Sequence, residues 1–350
     1  MKRVLFCVLN WGLGHATRSV PILEVLINEG FEVEMASDGA SLAYLSERFP
    51  TMKSHQLPGY DVQYASTTFW GNAWSIASKV SSATQREHKS IDEIVAQFKP
   101  DIIISDNRYG CYHTSAHNIF ITHQLQVPLQ NSVLRKLSRS MIRQKLKKFD
   151  EVWIPDVDRA DRVTRSMSSP LRENCKLIGM LSQLNSKPLP IIKNSLLVLL
   201  SGPEPARTVL ESKLLDFNLH DKYDVTLIRG FSDGQKIQSN KQINIIDLAH
   251  HEALETCISS SEIIICRSGY STIMDLTCLN RSAIFIPTPG QPEQKELGAQ
   301  MHEMKRGVCI SQSDLTMKRV EEGIEEIRNL QIRSTQMPNS LVQEIRRLKE

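Results

Sequence analysis

His15 stands in "NWGLGHATRS", residues 10–19, directly after the apolar run "VLFCVL". An imidazole there can close a turn, hold a group at a helix N-terminus, or move a proton. Asp106 ends another apolar run, in "IIISDNRYG". If both runs are central strands of one sheet, the carboxylate can meet one imidazole nitrogen. It would then fix the tautomer and make the other nitrogen a better base. The second half repeats this strand–turn–helix build. "LLSGPEPARTVLE" places Ser201 and Gly202 in such a turn. "IIICRSGYSTIMDL" places Arg267, Ser268 and Gly269 in another, with Ser271 or Thr272 as a helix cap. Free N–H groups at that helix start, beside the fixed charge of Arg267, suit a diphosphate. Asp275 follows one to two turns later and can accept from a ribose hydroxyl. In "IPTPGQPEQKELGA" the adjacent Glu293 and Gln294 offer acceptors and donors to sugar hydroxyls.

The elements that must position these residues are legible as short apolar runs with little alternation. They are Val4–Leu9, Ile102–Ile104, Ile119–Thr122 and Val152–Ile154, then Leu196–Leu200, Val225–Ile228, Ile243–Ile246, Ile263–Cys266 and Ala283–Ile286. Strands buried on both faces look like this, and helix-covered parallel sheets contain them. Val20, Leu23, Leu26 and Ile27 make one helical face closed by Gly30, and Pro21 is tolerated if that helix begins near Arg18. The α/β pattern occurs twice, so two domains are expected, 1–181 and 196–350, joined by the proline-bearing linker 182–195. Leu341 to Glu350 reads as a short terminal helix.

Composition narrows the function classes. The chain has 350 residues, 41% hydrophobic and 23% charged, and a net charge of +3, too small to argue for nucleic acid. Seven scattered cysteines without a C-x-x-C pair fit free thiols in a reducing compartment. The apolar start stops at Asn10 without a cleavage site, and no run approaches the roughly 18 residues of a membrane span. A cytoplasmic protein is expected. Thr17 stands where the dinucleotide fingerprint needs its third glycine, which disfavours a nicotinamide oxidoreductase. Asp156-x-Asp158 has the spacing of a manganese-binding pair, but such a triplet is common by chance and lies near the domain seam; His113 and His117 are one helical turn apart, without an evident third ligand. No metal or other cofactor is expected.

"CRSGYSTIMDL" followed by "PTPGQPEQKELGA" resembles the C-terminal signature of GT-B glycosyltransferases, above all family 28, which includes the N-acetylglucosaminyltransferase that makes the final lipid precursor of peptidoglycan. It is also similar to the signature box of UDP-dependent glycosyltransferases. "GLGHATRS" and "DNRYG" resemble the N-terminal half of bacterial relatives of that family. The resemblance implies a GT-B fold, two Rossmann-like domains whose parallel sheets face a central cleft. It implies an inverting hexosyltransferase that moves a sugar from a UDP-sugar to a hydroxyl acceptor, with a lipid-linked acceptor among the candidates. His15 and Asp106 stand at the positions of the base and its orienting aspartate. Ser201, Gly202, Arg267, Ser268, Gly269, Ser271, Thr272, Asp275, Glu293 and Gln294 fall on the donor side. Gly12, Gly14, Arg108 and His123 fall on the acceptor side. Position 275 is Asp where Glu is usual, and Lys295 replaces a second glutamine. A UDP-sugar epimerase of the same architecture and a nucleotide-sugar-binding protein without turnover are the alternatives.

One stretch stands apart. Residues 133–149, "VLRKLSRSMIRQKLKKF", hold seven basic residues and no acid, with Leu134, Leu137, Met141, Ile142, Leu146 and Phe149 forming an apolar stripe. The favoured reading is a sheet-covering helix with its stripe in the core. The other gives its basic rim to an anionic membrane.

Overall fold

The apolar runs become parallel strands in the computed structural model, which describes residues 1–60, 69–129, 131–158, 161–184, 189–202, 204–230, 243–249, 251–330 and 340–350 (for 69–81 the backbone only). The chain forms two units, Met1–Leu181 with Met337–Glu350, and Ser182–Gln336.

In the first unit the strands are β1 (Arg3–Val8), β2 (Glu32–Ser37), β3 (Ser54–Gln56), β4 (Ile102–Asp106), β5 (His117–Ile121), β6 (Glu151–Ile154) and β7 (Cys175–Leu177). They pair in the order β3-β2-β1-β4-β5-β6-β7, all parallel. The chain adds strands on one side of β1, then returns to add β4 and its successors on the other. The strand order thus reverses between β1 and β4, and there the loops after the two strands diverge and leave a crevice. Register places Val8 opposite Asp106, so the turn carrying His15 and the end of β4 share that crevice. Val4 to Val8 and Ile103 to Ile104 are fully buried. Leu5, Cys7 and Ile103 pack against Ile91, Ile94, Val95 and Phe98 of the long helix Phe69–Phe98. Each such side chain contributes about 1.5–3 kcal/mol by leaving water.

The second unit repeats the plan with β8 (Ile192–Leu199), β9 (Asp224–Ile228), β10 (Asn244–Ile246), β11 (Ser261–Cys266), β12 (Ala283–Phe285) and β13 (Gly307–Cys309), in the order β10-β9-β8-β11-β12-β13. Its reversal lies between β8 and β11, with Leu199 opposite Cys266. Ser201–Gly202 and Arg267–Thr272 follow these two strands.

Three expectations need correction. The opening helix, Gly14–Asn28, starts four residues earlier than expected, so Pro21 sits inside it; Ile27 is 44% exposed, and Ile22 takes its place in the core. The domain boundary at 350 fails, because the last helix, Ser340–Arg347, packs on the first unit. Ile345 is fully buried, Arg346 and Lys349 pair with Glu29 at 2.9 and 2.7 Å, and Arg347 pairs with Glu151 at 2.6 Å. Sequence order does not report which unit buries a short amphipathic helix. Of the expected linker, residues 185–188 lie outside the described residues, and β8 already begins at Ile192.

The favoured reading of the basic stretch holds only in part. No residue of the helix Ser132–Lys145 is buried, and Val133, Leu137 and Met141, four residues apart, are 71%, 56% and 53% exposed. Leu146 and Phe149, past its end, enter the core, and the partly buried Ile142 packs against it. No helix among the described residues is long and apolar enough to cross a membrane.

Candidate active site

Gly12 adopts φ +72°, a left-handed conformation that favours glycine, and lets the chain turn from β1 into the opening helix at Gly14. His15 occupies the first turn, its side chain 14% exposed. Its Nδ1 lies 3.1 Å from Asp106 Oδ1, so the expected pair is in contact. A third residue, Arg18, is inserted into it. Arg18 Nε donates to Asp106 Oδ2 at 2.8 Å, and Nη2 contacts Oδ1. Nη2 is also 2.9 Å from His15 Nδ1, and Nη1 is 3.4 Å from His123 Nδ1. Burial pushes the Asp106 carboxyl up, but Arg18 and then His15 outweigh it and hold it well below the ordinary carboxylate range. Burial and Arg18 push the His15 imidazole down, with Asp106 opposing. His123, a candidate from sequence, is therefore within reach of the same guanidinium. Arg18 was not anticipated, although its i+3 spacing from His15 puts both on one helix face.

Arg108 does not face a ligand, contrary to expectation. It is fully buried, and its donors are engaged by Glu87 at 2.5 Å, Asp38 at 2.7 Å, and the Val8 and Pro58 carbonyls at 3.0 and 2.6 Å. Glu87 is further held by Tyr60 Oη at 2.7 Å and by the Gly110 N–H at 3.1 Å. A Cβ on Gly110 would meet the Glu87 side chain at 2.7 Å, so "DNRYG" needs its glycine for this approach. The motif pins the end of β4 to the helix Phe69–Phe98, and Asp106 alone faces His15.

In the second unit Gly202 turns the chain at φ +98°, next to Ser201, which is partly exposed. Gly269 caps the helix Tyr270–Cys278, whose first turn carries the partly exposed Ser271 and Thr272. The guanidinium of Arg267 points away from that helix start. It is 1% exposed and donates to the Ile286 and Pro287 carbonyls at 3.1 and 3.3 Å, to Gln312 Oε1 at 2.8 Å and to the Ala206 carbonyl at 2.7 Å. These partners are neutral, Nε has none among the described residues, and burial lowers the group to about 10. Gln294 is likewise turned inward, its Oε1 accepting from the Thr288 N–H at 2.8 Å, and Ser268 Oγ donates to the Gln294 carbonyl at 2.7 Å. Arg267, Ser268 and Gln294 thus brace the loops, where direct contacts were expected. Glu293, next to Gln294, is partly exposed in the first turn of the helix Pro292–Glu303. Asp275 accepts from Ser182 Oγ at 2.5 Å, and burial pushes its carboxyl up to about 7 against that bond. Thr288, unmarked from sequence, has a buried Oγ1 with no partner among the described residues. It lies 3.9 Å from where a Cβ on Gly202 would stand.

Asp156 is a loop organiser. Its two oxygens accept from the Val157, Val163 and Thr164 N–H groups and from Thr164 Oγ1, which leaves the Asp156-x-Asp158 pair without metal-ligand geometry. Among the described residues no group of three His, Cys, Asp or Glu could hold a metal ion.

Comparison with known proteins matches the two halves of the sequence separately. Residues 203–350 match the glycosyltransferase family 28 C-terminal domain, and residues 2–145 match the glycosyl transferase family 1 domain. An uncharacterized glycosyltransferase of Methanosarcina acetivorans is 25% identical, over 93% of this chain and 90% of its own. The UDP-N-acetylglucosamine–N-acetylmuramyl-(pentapeptide) pyrophosphoryl-undecaprenol N-acetylglucosamine transferase of Halalkalibacterium halodurans is 24% identical, over 69% of each chain. Among solved structures, the spinosyn rhamnosyltransferase SpnG complexed with thymidine diphosphate superposes with a TM-score of 0.66 over 100% of both chains at 12% identity.

Proposed function

On the premise that this chain is a glycosyltransferase with the GT-B fold and a family 28 C-terminal domain, we propose that it transfers a sugar, with inversion, from a UDP-sugar to a hydroxyl acceptor, with His15 as the base. The observation that carries this reading is the His15–Asp106 contact at the strand-order reversal of the first unit. In the reaction, the acceptor oxygen attacks the anomeric carbon as His15 Nε2 takes its proton. The bond from that carbon to the diphosphate breaks, and the electron pair leaves with the nucleoside diphosphate. Asp106 stabilises the imidazolium that results. The second unit suits the donor. The start of the helix Tyr270–Cys278 offers N–H groups, the reversal between β8 and β11 provides the crevice, and the Arg267 charge behind it has no carboxylate among its partners. That field and those N–H groups can take the leaving diphosphate's charge without a metal.

The test supplies UDP-sugars and, because the SpnG neighbour was solved with thymidine diphosphate, thymidine diphosphate sugars, with simple hydroxyl acceptors, and follows nucleotide release. His15→Ala should abolish transfer and leave UDP affinity, measured by calorimetry, within about twofold. Normal transfer by that variant refutes the base, and an epimerised sugar formed without acceptor refutes the transferase assignment of this site.

We further propose that the acceptor is carried by an anionic membrane. The exposed Val133, Leu137 and Met141 with the surrounding basic side chains form the surface that meets it. Each basic group near an anionic bilayer contributes about 1 kcal/mol. Binding to phosphatidylglycerol vesicles should fade with added salt and fall when Arg139, Arg143 and Lys136 become Gln. Absence of binding at low salt refutes this surface and points to a soluble acceptor.

A further inference from the structure

Arg18 lies one helical turn after His15, and its guanidinium reaches three groups at once. Nε and Nη2 fork onto both oxygens of Asp106. Nη1 is 3.4 Å from His123 Nδ1. Nη2 is 2.9 Å from His15 Nδ1, closer than the 3.1 Å that separates Nδ1 from Asp106 Oδ1. A guanidinium only donates, and a neutral imidazole has one N–H and one bare nitrogen. His15 Nδ1 therefore faces a donor and an acceptor together and can satisfy one of them. Both Asp106 oxygens already accept from the fork, and Nη2 stands closer to Nδ1 than Oδ1 does, so the geometry favours the bond from Arg18. Nδ1 is then bare and the ring proton sits on Nε2, the reverse of what proton abstraction at Nε2 requires.

We propose that Arg18 is a positioning residue that locks neutral His15 with its proton on Nε2, so that the imidazole becomes a base only when Arg18 withdraws from Nδ1 and leaves Asp106 to accept the Nδ1 proton. The inference rests on the reading of His15 as the base. The switch moves one proton from Nε2 to Nδ1 through water, with no change of charge, and the bare Nε2 can then take a hydroxyl proton. Three charged or titratable groups face the ring: Arg18 from its own helix, Asp106 from β4, and His123 from the segment after β5. Burial and Arg18 both disfavour the imidazolium, so the ring stays neutral and the position of its single proton is the variable that matters.

The experiment is ¹⁵N NMR of the imidazoles in the full chain, with His15 assigned by its loss in His15→Gln. In the wild type, Nδ1 should show the shift of a bare nitrogen and Nε2 that of a protonated one. In Arg18→Met the order should reverse, and the titration midpoint should rise by at least about one pH unit, tenfold in proton affinity. Arg18→Met strips Asp106 of its main partner, so Arg18→Lys is the second variant. A single ammonium keeps the charge there but cannot serve both Asp106 oxygens and Nδ1, and the proton should again move to Nδ1. A protonated Nδ1 in the wild type, or Arg18→Lys with Nε2 still protonated and an unmoved midpoint, overturns the lock. Kinetics separates the two claims. Normal transfer by His15→Ala with the NMR pattern intact removes the base and leaves the lock. A wild type protonated at Nδ1 that needs His15 for transfer removes the lock and leaves the base.

Discussion

Asp275 should make the second unit less stable as pH rises toward neutrality. Its carboxyl is pushed up to about 7 by burial, from an ordinary value of 3.8, with the Ser182 hydroxyl opposing. Between these two values the folded form holds a proton that the unfolded form has lost. Stability then falls as pH rises through this window, and the loss is complete above about pH 8. A difference of roughly three pH units at 1.36 kcal/mol each corresponds to about 4 kcal/mol at most. Asp275→Asn keeps the shape and an oxygen that accepts from Ser182 but cannot ionise. The variant should match the wild type near pH 4 and exceed it by up to about 4 kcal/mol at pH 8. The chain's four tryptophans all precede residue 182, so fluorescence would report the first unit. Hydrogen exchange on peptides spanning residues 261–278, across a urea series at each pH, reads the relevant transition. Parallel stability curves for the two proteins between pH 4 and 8 would refute the argument. The same substitution should weaken UDP binding, because a group that opposes folding at neutral pH, in the helix that follows β11, is best explained by what it binds.

Arg108→Met should cost about 3–5 kcal/mol by leaving Glu87 and Asp38 without their cation, read as a lower urea midpoint for the first unit; a change under 1 kcal/mol would contradict the bracing role. Arg267→Met should lower the second unit's stability by about 2–4 kcal/mol and weaken UDP binding about tenfold, because the loops it braces also form the proposed donor site. Unchanged stability with lost binding would instead return its guanidinium to direct phosphate contact. Chelation with EDTA should leave transfer within about twofold, since Asp156 is occupied by its own loop; complete loss restored by manganese would contradict this.

What the sequence made legible follows from where each element sits. The central strands β1, β4, β8 and β11 are buried on both faces and read as continuous apolar runs. β2 alternates charged and apolar residues as "EVEMAS", and β3, β7 and β13 read "SHQ", "CKL" and "GVC", without a continuous apolar run. His15 and Asp106 were legible because residues just past adjacent strand ends must converge. Arg18 was not, since its contacts depend on side-chain reach across two strands. The arginines misled for a related reason. An arginine in a site motif reads as a ligand contact, but the number of unpaired carbonyls around it is a tertiary fact. The basic helix was partly misassigned because an apolar stripe at helical spacing reports a face, and burial of that face depends on what the fold places opposite it.

Both units solve one problem in the same way and with a different electrostatic result. At a strand-order reversal the loops after two strands separate, and their carbonyls lose ladder partners. In each unit a buried guanidinium takes carbonyls of the surrounding segments: Arg108 takes Val8 at the end of β1 and Pro58 after β3, and Arg267 takes Ala206 at a helix start and Ile286 and Pro287 after β12. Its fixed fork suits the task better than an ammonium, because several carbonyls are held at set angles. Arg108 is neutralised by Asp38 and Glu87. Arg267 has neutral partners among the described residues, so its charge stands uncompensated behind the start of the helix Tyr270–Cys278. The first crevice is therefore left to the local chemistry of His15, Asp106 and Arg18, and the second has a buried cation with no carboxylate partner among the described residues. Under the proposed function an anionic diphosphate would belong with the second, and a neutral hydroxyl that must lose a proton with the first.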